Sequence, residues 1–266
     1  MTQRKRHRSS NNAKVSWHKV RRFLLVAGIC VLVYLLYVNV VAPYAPRWLA
    51  LYGNPGIPEG YSIRGIDISH HQGEIDWDEL SQARIGDELI SFVFIKATEG
   101  RKLYDDNFKK YFSEAKERGI IRGAYHYFSP SVPAKIQAEN FLNKVTLEDG
   151  DLPPVLDIEE AGNLSVEQVR QAAREWIAEV RKVYDALPII YTYYKFKEKY
   201  LDTKEFNQYP YWIAHYYVPE IKYKGQWKFW QHTDCGHLPG IDGEVDLNVY
   251  NGSMYDLRRH CIKKEE

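Results

Sequence analysis

The feature that most constrains the fold is a regular alternation of apolar and amphipathic segments from residue 62 onward. Apolar runs such as residues 89–97 are typical of buried strands, and runs such as 165–186 repeat their apolar residues at helical spacing. Asp76 and Ser165 stand where helix N-caps belong, and Gly119 stands where a helix would end. Alternating strands and helices predict a parallel sheet covered by helices.

The number of strands indicates how this sheet is organised. The expected strands are residues 61–69, 89–100, 120–128, 152–159, 187–194, 209–216, 227–233 and 243–250. Helices follow only the first five, and eight strands fit a closed barrel better than an open sheet. We therefore expect an α/β fold, a TIM-like incomplete barrel of five β/α units plus three further strands. A doubly wound open sheet is the alternative, although the chain has no GxGxxG or P-loop motif for its nucleotide-binding versions.

Polar and aromatic side chains stand at the ends of these predicted strands. They are Asp67, Glu99, Tyr125, His126, Tyr127, Asp157, Glu159, Tyr191, Tyr193, His215, Tyr216, Trp230, Gln231, Asp246 and Asn248. In a parallel barrel the strand ends meet at one mouth, which is where barrel enzymes carry their active sites. The pattern therefore predicts a site at that mouth.

Two of these acids lie two residues apart in the segment DLPPVLDIEE, residues 151–160. Asp157 and Glu159 should share one face of a strand, with Cα atoms about 6.6 Å apart. Two carboxyl groups in a partly dry cleft cannot both ionise easily, so the pKa of one rises, and glycoside cleavage needs such a retained proton. The alternative is that they cap the next helix or form ion pairs. Asp67 and Asp246, which end two other strands, argue against that alternative.

Eight motifs, in this order, resemble glycoside hydrolase family 25, the Chalaropsis-type lysozymes or N-acetylmuramidases. The motifs are GIDISHHQGEIDW, FVFIKATEG, GAYHYF, PPVLDIEE, IIYTYY, YWIAHY, FWQHT and GEVDLNVY, and the resemblance covers about residues 62–250. The resemblance implies an incomplete barrel of five β/α units and three further strands. It also implies hydrolysis of the β-1,4 bond between N-acetylmuramic acid and N-acetylglucosamine in the peptidoglycan glycan strand.

The resemblance also implies roles for individual residues. Glu159 would be the general acid, Asp157 would steer the substrate N-acetyl group or stabilise charge, and Asp67 and Asp246 would be the other two catalytic acids. The substrate-binding residues expected from the motifs and from their strand-end positions are Tyr125, Tyr127, Glu99, Tyr191, Tyr216, Trp230 and Gln231. Either the substrate's own N-acetyl oxygen attacks the anomeric carbon, or a carboxylate attacks or activates water.

Other functional classes are less well supported by the residues. We expect no cofactor and no metal, because His70 and His71 have no third ligand at metal spacing. There is no GxSxG motif for a serine hydrolase. The remaining alternatives are a catalytically idle peptidoglycan-binding domain and a hydrolase of another N-acetylated polysaccharide such as chitin.

The N-terminal region differs from the rest of the chain. Residues 23–42 are 20 residues without a charge, enough for a helix of about 30 Å, the thickness of a hydrocarbon core. The eight Lys and Arg of residues 1–22 precede it, so the positive-inside rule predicts a cytoplasmic N-terminus. We expect a single-pass anchor in the cell (inner) membrane and an extracytoplasmic catalytic domain, either periplasmic or extracellular. A cleaved signal peptide or a buried core helix are the alternatives.

The predicted organisation is a basic cytoplasmic arm (1–22), a transmembrane anchor (23–42), a linker (43–61), a hydrolase barrel (62–256) and a tail (257–266). Eight of the 36 Lys and Arg lie in the arm, so residues 23–266 carry 28 basic against 35 acidic residues, a net charge of −7. This charge predicts no nucleic-acid binding. Cys235 and Cys261 lie in the exported part, where we expect them to form a disulfide, with two buried thiols as the alternative.

Overall fold

The structure is a computed structural model that describes residues 17–41, 56–222 and 225–263. The predicted basic arm up to residue 16, the predicted linker up to residue 55 and the last three residues lie outside the described residues. The chain has two compact units, residues 1–48 and residues 49–266.

The first unit contains helix α1, Trp17–Leu36, which continues as a π-helical turn, Tyr37–Val41. No residue of α1 is buried. The stretch Trp17–Asn39 has 23 residues and a mean hydropathy of 2.0, so it is long and apolar enough to cross a membrane.

The second unit alternates strands and helices. The strands are β1 Ile63–Ile68, β2 Arg84–Ile85, β3 Glu88–Glu99, β4 Leu103–Tyr104, β5 Ile121–Tyr127, β6 Val155–Asp157, β7 Ile189–Tyr193, β8 Tyr211–Ala214, β9 Trp227–Gly236 and β10 Val245–Tyr250. The helices are α2 Trp77–Gln82, α3 Phe108–Glu117, α4 Ala134–Leu142, α5 Val166–Arg181, α6 Tyr194–Phe196 and α7 Met254–His260. Shorter helical turns are His70–Gln72, Lys197–Leu201 and Phe206–Gln208.

Eight of these strands close into a barrel. The neighbours run in the order β1, β3, β5, β6, β7, β8, β9 and β10, and β10 pairs back with β1. Helices follow β1, β3, β5, β6 and β7, and the last three strands complete the barrel. The predicted TIM-like barrel is confirmed, and the open sheet is wrong because β1 has a barrel neighbour on both sides.

The last strand runs against the others, which the sequence did not predict. β10 is antiparallel to both β9 and β1, whereas the other neighbouring barrel strands are parallel. The connection from β9 to β10 is residues 237–244, which is too short for the crossover that a parallel pair needs. The start of β10, not its end, therefore lies at the mouth of the barrel.

Local signals place the helices largely as expected. The Asp76 side chain accepts hydrogen bonds from two backbone N–H groups of α2, and Ser165 forms a capping box with Gln168 at the start of α5. α3 begins four residues later than its amphipathic pattern suggests, because Tyr104 pairs with Thr98 of β3 instead. Strand pairing thus overrides helical periodicity at this point.

Aromatic rings fill the barrel interior. Phe94 stacks on Trp212 with ring centroids 4.1 Å apart, and Phe92 packs edge-on against Phe229 at 5.2 Å. A larger apolar layer, which includes Trp176 of α5 and Tyr111 of α3, lies between the sheet and the helices. The interior is a packed core, so any site must lie above it at the mouth.

The packing extends past residue 256, where the sequence predicted a tail to begin. Leu257 of α7 is buried, and Ile262 exchanges backbone hydrogen bonds of 2.8 and 3.0 Å with Asp151 and Gly150. These contacts hold the end of the chain against the loop that leads into β6.

The predicted disulfide is wrong, because Cys235 and Cys261 are both free, buried thiols. Cys235 lies near the end of β9, where its Sγ is 3.2 Å from Thr233 Oγ1. Cys261 follows α7 and packs with Phe229, close to the start of the same strand. Six residues of strand span about 20 Å, whereas a disulfide needs Cα atoms about 5.5 Å apart.

Substitution of Gly123 by Ala tests the packing of the interior. The new Cβ would lie 2.8 Å from the Phe94 ring, which cannot yield because it is stacked on Trp212. We expect the free energy of unfolding, measured by urea denaturation, to fall by about 1–3 kcal/mol. Gly56→Ala is the control, since a Cβ there meets nothing within 4 Å. Equal stability of both variants would contradict the packed interior.

Candidate active site

Three strands bring the four predicted catalytic acids to the mouth of the barrel. Asp67 is near the end of β1, Asp157 ends β6, and Glu159 follows two residues later. Asp246, at the start of the antiparallel β10, is the register partner of Asp67. All four side chains line one cavity of about 250 Å³. They converge because β10 reverses, which places its first residues beside the last residues of β1.

The cavity also contains most of the residues predicted to bind substrate. Its lining is Asp67, Ser69, His71, Lys96, Tyr125, Tyr127, Asp157, Glu159, Tyr191, Tyr193, Trp212, Tyr216, Gln231 and Asp246. Ile158, between the two β6 acids, packs in the layer between sheet and helices. The predicted sharing of one face by Asp157 and Glu159 is therefore what the structure shows.

Two predicted substrate-binding residues do not line the cavity. Trp230 packs outside the barrel, where its ring lies 6.0 Å from Tyr61 and its Nε1 donates to the backbone oxygen of His215. Neighbouring residues of a strand face opposite sides, so Trp230 and Gln231 could not both point inward. Glu99 forms an ion pair of 2.7 Å with Lys96, and it is Lys96 that reaches the cavity.

Asp67 and Asp246 form a pair of facing carboxyl groups. Asp67 Oδ1 accepts a hydrogen bond of 2.7 Å from the Asn248 amide, and both Asp67 oxygens accept from Gln231 Nε2. Asp246 accepts only from Gln231 among these amides, at 3.1 Å. Two negative charges cannot face each other here without a shared proton. Asp67, which has more donors, is therefore better suited to carry the charge.

Burial raises the pKa of both members of this pair. The pKa of Asp67 rises to about 6, because burial outweighs the hydrogen bonds from Asn248, Asp246 and Gln231 that favour its charged form. The pKa of Asp246 rises to about 10, through burial first and then the adjacent charge of Asp67. At pH 7 Asp246 is therefore neutral and donates its proton towards ionised Asp67.

Glu159 sits in a different environment on the opposite side of the cavity. Burial raises its pKa to about 7, with help from the charges of Glu160 and Asp67. Hydrogen bonds from the Tyr193 and Tyr127 hydroxyls favour the ionised form and limit this rise. A carboxyl group that still holds a proton near neutral pH can act as a general acid.

Asp157 lies beside Glu159 and has an unsatisfied oxygen. The residue is buried, and its Oδ1 has no hydrogen-bond partner among the residues that the structure describes. Burial and the charge of Glu159 raise its pKa, while Lys96 opposes that rise. A buried acceptor without a donor is costly, and in a cavity it suits a donor brought by a ligand.

Sequence reasoning placed Tyr193 at the mouth without giving it a role, and it did not assign Lys96 or Trp212 to the site. Lys96 is a lone charge in an otherwise apolar strand, which is itself a signal of a special environment. Tyr193 follows Tyr191 by two residues, so the alternation of a strand could have placed both on one face. Nothing in the sequence indicated that Trp212 belongs to the site, because its ring packs in the barrel core and also lines the cavity.

The histidines considered as metal ligands have other partners. His70 Nδ1 lies 2.8 Å from the buried carboxylate of Asp105, and the His70 and His71 rings pack against each other, tilted by 36° with centroids 4.1 Å apart. Within residues 17–41, 56–222 and 225–263, no group of three or more His, Cys, Asp or Glu residues has the geometry to hold a metal ion.

Comparisons with known proteins agree with this geometry. The model of glycosyl hydrolases family 25 matches residues 66–241. YegX of Escherichia coli K12 is 45% identical over 203 residues, covering 76% of this chain and 74% of YegX. Lysozyme M1 of Streptomyces globisporus is 34% identical, covering 73% and 70%. A solved family 25 glycosyl hydrolase from Bacillus anthracis superposes with a TM-score of 0.69 at 30% identity, covering 78% of this chain and 97% of that one.

Asp246→Asn tests whether Asp246 is the protonated member of the pair. The folded protein keeps this proton up to about pH 10, whereas the unfolded chain loses it near the ordinary value of 3.8. The free energy of unfolding therefore falls as pH rises between these values. Asn has no such proton to lose and can still donate to Asp67. We expect the free energy of unfolding of the variant to exceed that of the wild type by at least about 1 kcal/mol at pH 8. This difference should shrink as pH falls towards 4.

Urea denaturation at several pH values measures this difference. Asp242→Asn, which removes an exposed carboxylate, serves as the control. A stability difference for Asp246→Asn that does not change with pH would contradict the assigned proton.

Proposed function

The chain belongs to glycosyl hydrolase family 25 and is a peptidoglycan hydrolase of the lysozyme type, and we propose that it cleaves the β-1,4 bond between N-acetylmuramic acid and N-acetylglucosamine. The observation that carries this proposal is the environment of Glu159. Its carboxyl group is largely buried, holds a proton near pH 7 and lies beside an aspartate with a free acceptor oxygen.

In the proposed reaction Glu159 donates its proton to the glycosidic oxygen as the bond to the anomeric carbon breaks. The ionised Asp67 and the remaining carboxyl groups stabilise the positive charge that develops on the sugar. Tyr127 and Tyr193 hold the Glu159 carboxyl in place and stabilise its charge once the proton has left. In the reverse role, the ionised Glu159 takes a proton from the incoming water.

The unsatisfied oxygen of Asp157 favours assistance by the substrate. An acetamido N–H could donate to Asp157 Oδ1, which would direct the carbonyl oxygen of the same group towards the anomeric carbon. That hydrogen bond also favours the ionised form of Asp157. Because the two carboxyl groups titrate together, substrate binding would then place the shared proton on Glu159, where the leaving oxygen needs it.

Glu159→Gln is the most direct variant for this function. It keeps the shape and hydrogen bonding of the side chain but cannot donate a proton, so we expect turnover of purified peptidoglycan to fall by about 10²–10⁴-fold. Thermal stability should be kept, since the change removes a carboxyl group whose charged form is disfavoured by burial. The matched control is Glu139→Gln, an exposed change in α4, which should stay active.

The released ends identify the bond. Cleavage on the reducing side of N-acetylmuramic acid yields new reducing ends on that sugar, which borohydride reduction converts to muramitol. Full activity of Glu159→Gln would refute the assignment of the acid. Activity on chitin oligomers but not on peptidoglycan would favour the hydrolase of another polysaccharide, and binding without cleavage would favour an idle binding domain.

We also propose that α1 anchors the enzyme in the cell (inner) membrane, with residues 1–22 in the cytoplasm and the barrel outside it. The span Trp17–Asn39, together with basic residues ahead of the uncharged stretch 23–42, supports this orientation. The domain limits at residues 42 and 62 remain part of this proposal.

Cell fractionation tests the anchor. We expect the intact 31.2 kDa chain in the membrane fraction after alkaline carbonate washing, because about 20 apolar residues are needed to hold a helix in the bilayer. A chain that lacks residues 1–42 is the matched control and should remain soluble. A shortened, soluble product from the full-length gene would show that the segment is a cleaved signal instead.

A further inference from the structure

Gln231 makes more hydrogen bonds than any other cavity residue that the structure describes, and all of them are to protein groups. Its Nε2 donates to both oxygens of Asp67 at 2.9 and 3.0 Å and to Asp246 Oδ2 at 3.1 Å. Its Oε1 accepts from the hydroxyls of Tyr191 at 2.6 Å and Tyr216 at 2.8 Å. The side chain therefore joins two acids on one side to two tyrosines on the other.

These bonds use the whole capacity of the amide. A glutamine side chain has two N–H donors and one carbonyl oxygen with two lone pairs. One N–H serves Asp67, the other serves Asp246, and the two tyrosines occupy the lone pairs. Gln231 is only 2% exposed, so neither surface nor bonding capacity is left for a sugar hydroxyl.

The network also determines which way the amide points. A carboxylate can only accept, whereas a tyrosine hydroxyl can donate. The amide nitrogen must therefore face Asp67 and Asp246, and the two tyrosines hold the oxygen on the far side. If the amide were free to rotate, its oxygen would face the charge on Asp67 and repel it.

We propose that Gln231 is a positioning residue, not a sugar-binding one: its amide, oriented by Tyr191 and Tyr216, donates to the Asp67–Asp246 pair and keeps one negative charge on Asp67. This inference rests on the proposed function and goes beyond it, because the sequence motif alone suggested that Gln231 contacts substrate. The single charge on Asp67 lies where the cavity can stabilise positive charge on the sugar.

The surrounding acids make these donors necessary, because nearby negative charge disfavours ionisation of Asp67. Asp157 and Glu159 face the pair across the cavity, and Asp234 and Cys235 approach Asp246 from the end of β9. Lys96, paired with Glu99, is the cation that lines the cavity. Without donors from the amide, burial and repulsion by these groups would favour the neutral form of Asp67 as well.

Two isosteric variants separate positioning from substrate contact. Gln231→Glu replaces the donor nitrogen by an oxygen that can donate only when it is protonated. Gln231→Met keeps the size of the side chain but makes none of these hydrogen bonds. Both retain the buried volume, and thermal denaturation at each pH shows whether each variant is folded.

The pH dependence of kcat, relative to wild type at the same pH, is the readout. At pH 7.5 we expect Gln231→Met to lose about 100-fold in kcat through the loss of charge-assisted hydrogen bonds, with KM within about twofold of wild type. Burial and Asp67 should keep the new carboxyl group of Gln231→Glu protonated at pH 7.5, where it can still donate, so this variant should lose at least about tenfold less than Gln231→Met. That advantage should disappear towards about pH 9 and above as the new carboxyl group ionises. Gln82→Glu, an exposed change in α2, is the control and should follow wild type at every pH.

Either of two results would overturn the inference. A raised KM with kcat retained would mean that Gln231 contacts the sugar, and a Gln231→Met variant with wild-type kcat at pH 7.5 would mean that donation to the pair is unimportant. If wild type itself releases no muramitol from peptidoglycan, the proposed function fails. If wild type is active and either of the two overturning results is found, the proposed function stands and only the role of Gln231 is refuted.

Discussion

The rest of the site depends on four carboxyl groups, two buried and two half-buried, that crowd one end of the barrel. For Asp67, Asp157, Glu159 and Asp246 alike, burial is the largest cause of the raised pKa. Burying a charge is unfavourable, so each group must be protonated or supplied with donors. Hydrogen bonds from the amides and tyrosines of the cavity stabilise the charged form of some of these acids more than that of others. The site therefore holds a protonated acid and an ionised carboxylate at the same pH.

The site and the barrel interior are connected by shared side chains. Trp212 stacks on Phe94 inside the barrel and donates from Nε1 to Asn248 at 2.7 Å, and Asn248 in turn donates to Asp67. A packed interior thus holds the first donor to the charged acid. Because close-packed cores transmit small displacements, a change well below the cavity should reach the acids through this chain of contacts.

The sequence predicted the architecture and much of the site because both follow from periodicity. Alternation of strands and helices indicates the barrel, and the two-residue spacing of Asp157 and Glu159 places them on one face. Local rules do not show the direction of a strand, so the reversal of β10 beside β1 came only from the structure. The same alternation rule could have excluded Trp230 once Gln231 was placed inward. The thiols of Cys235 and Cys261 lie towards opposite ends of β9, a separation that no sequence spacing reveals.

The proposed mechanism requires Glu159 to keep its proton near neutral pH while Asp67 is ionised. A carbon-13 NMR titration of the protein labelled at the glutamate carboxyl carbons tests this claim without substrate. We expect one resonance that titrates at about pH 7 and is absent from the spectrum of Glu159→Gln. A spectrum in which every glutamate titrates near the ordinary value of 4.5, or in which the high-pH resonance survives that substitution, would contradict it.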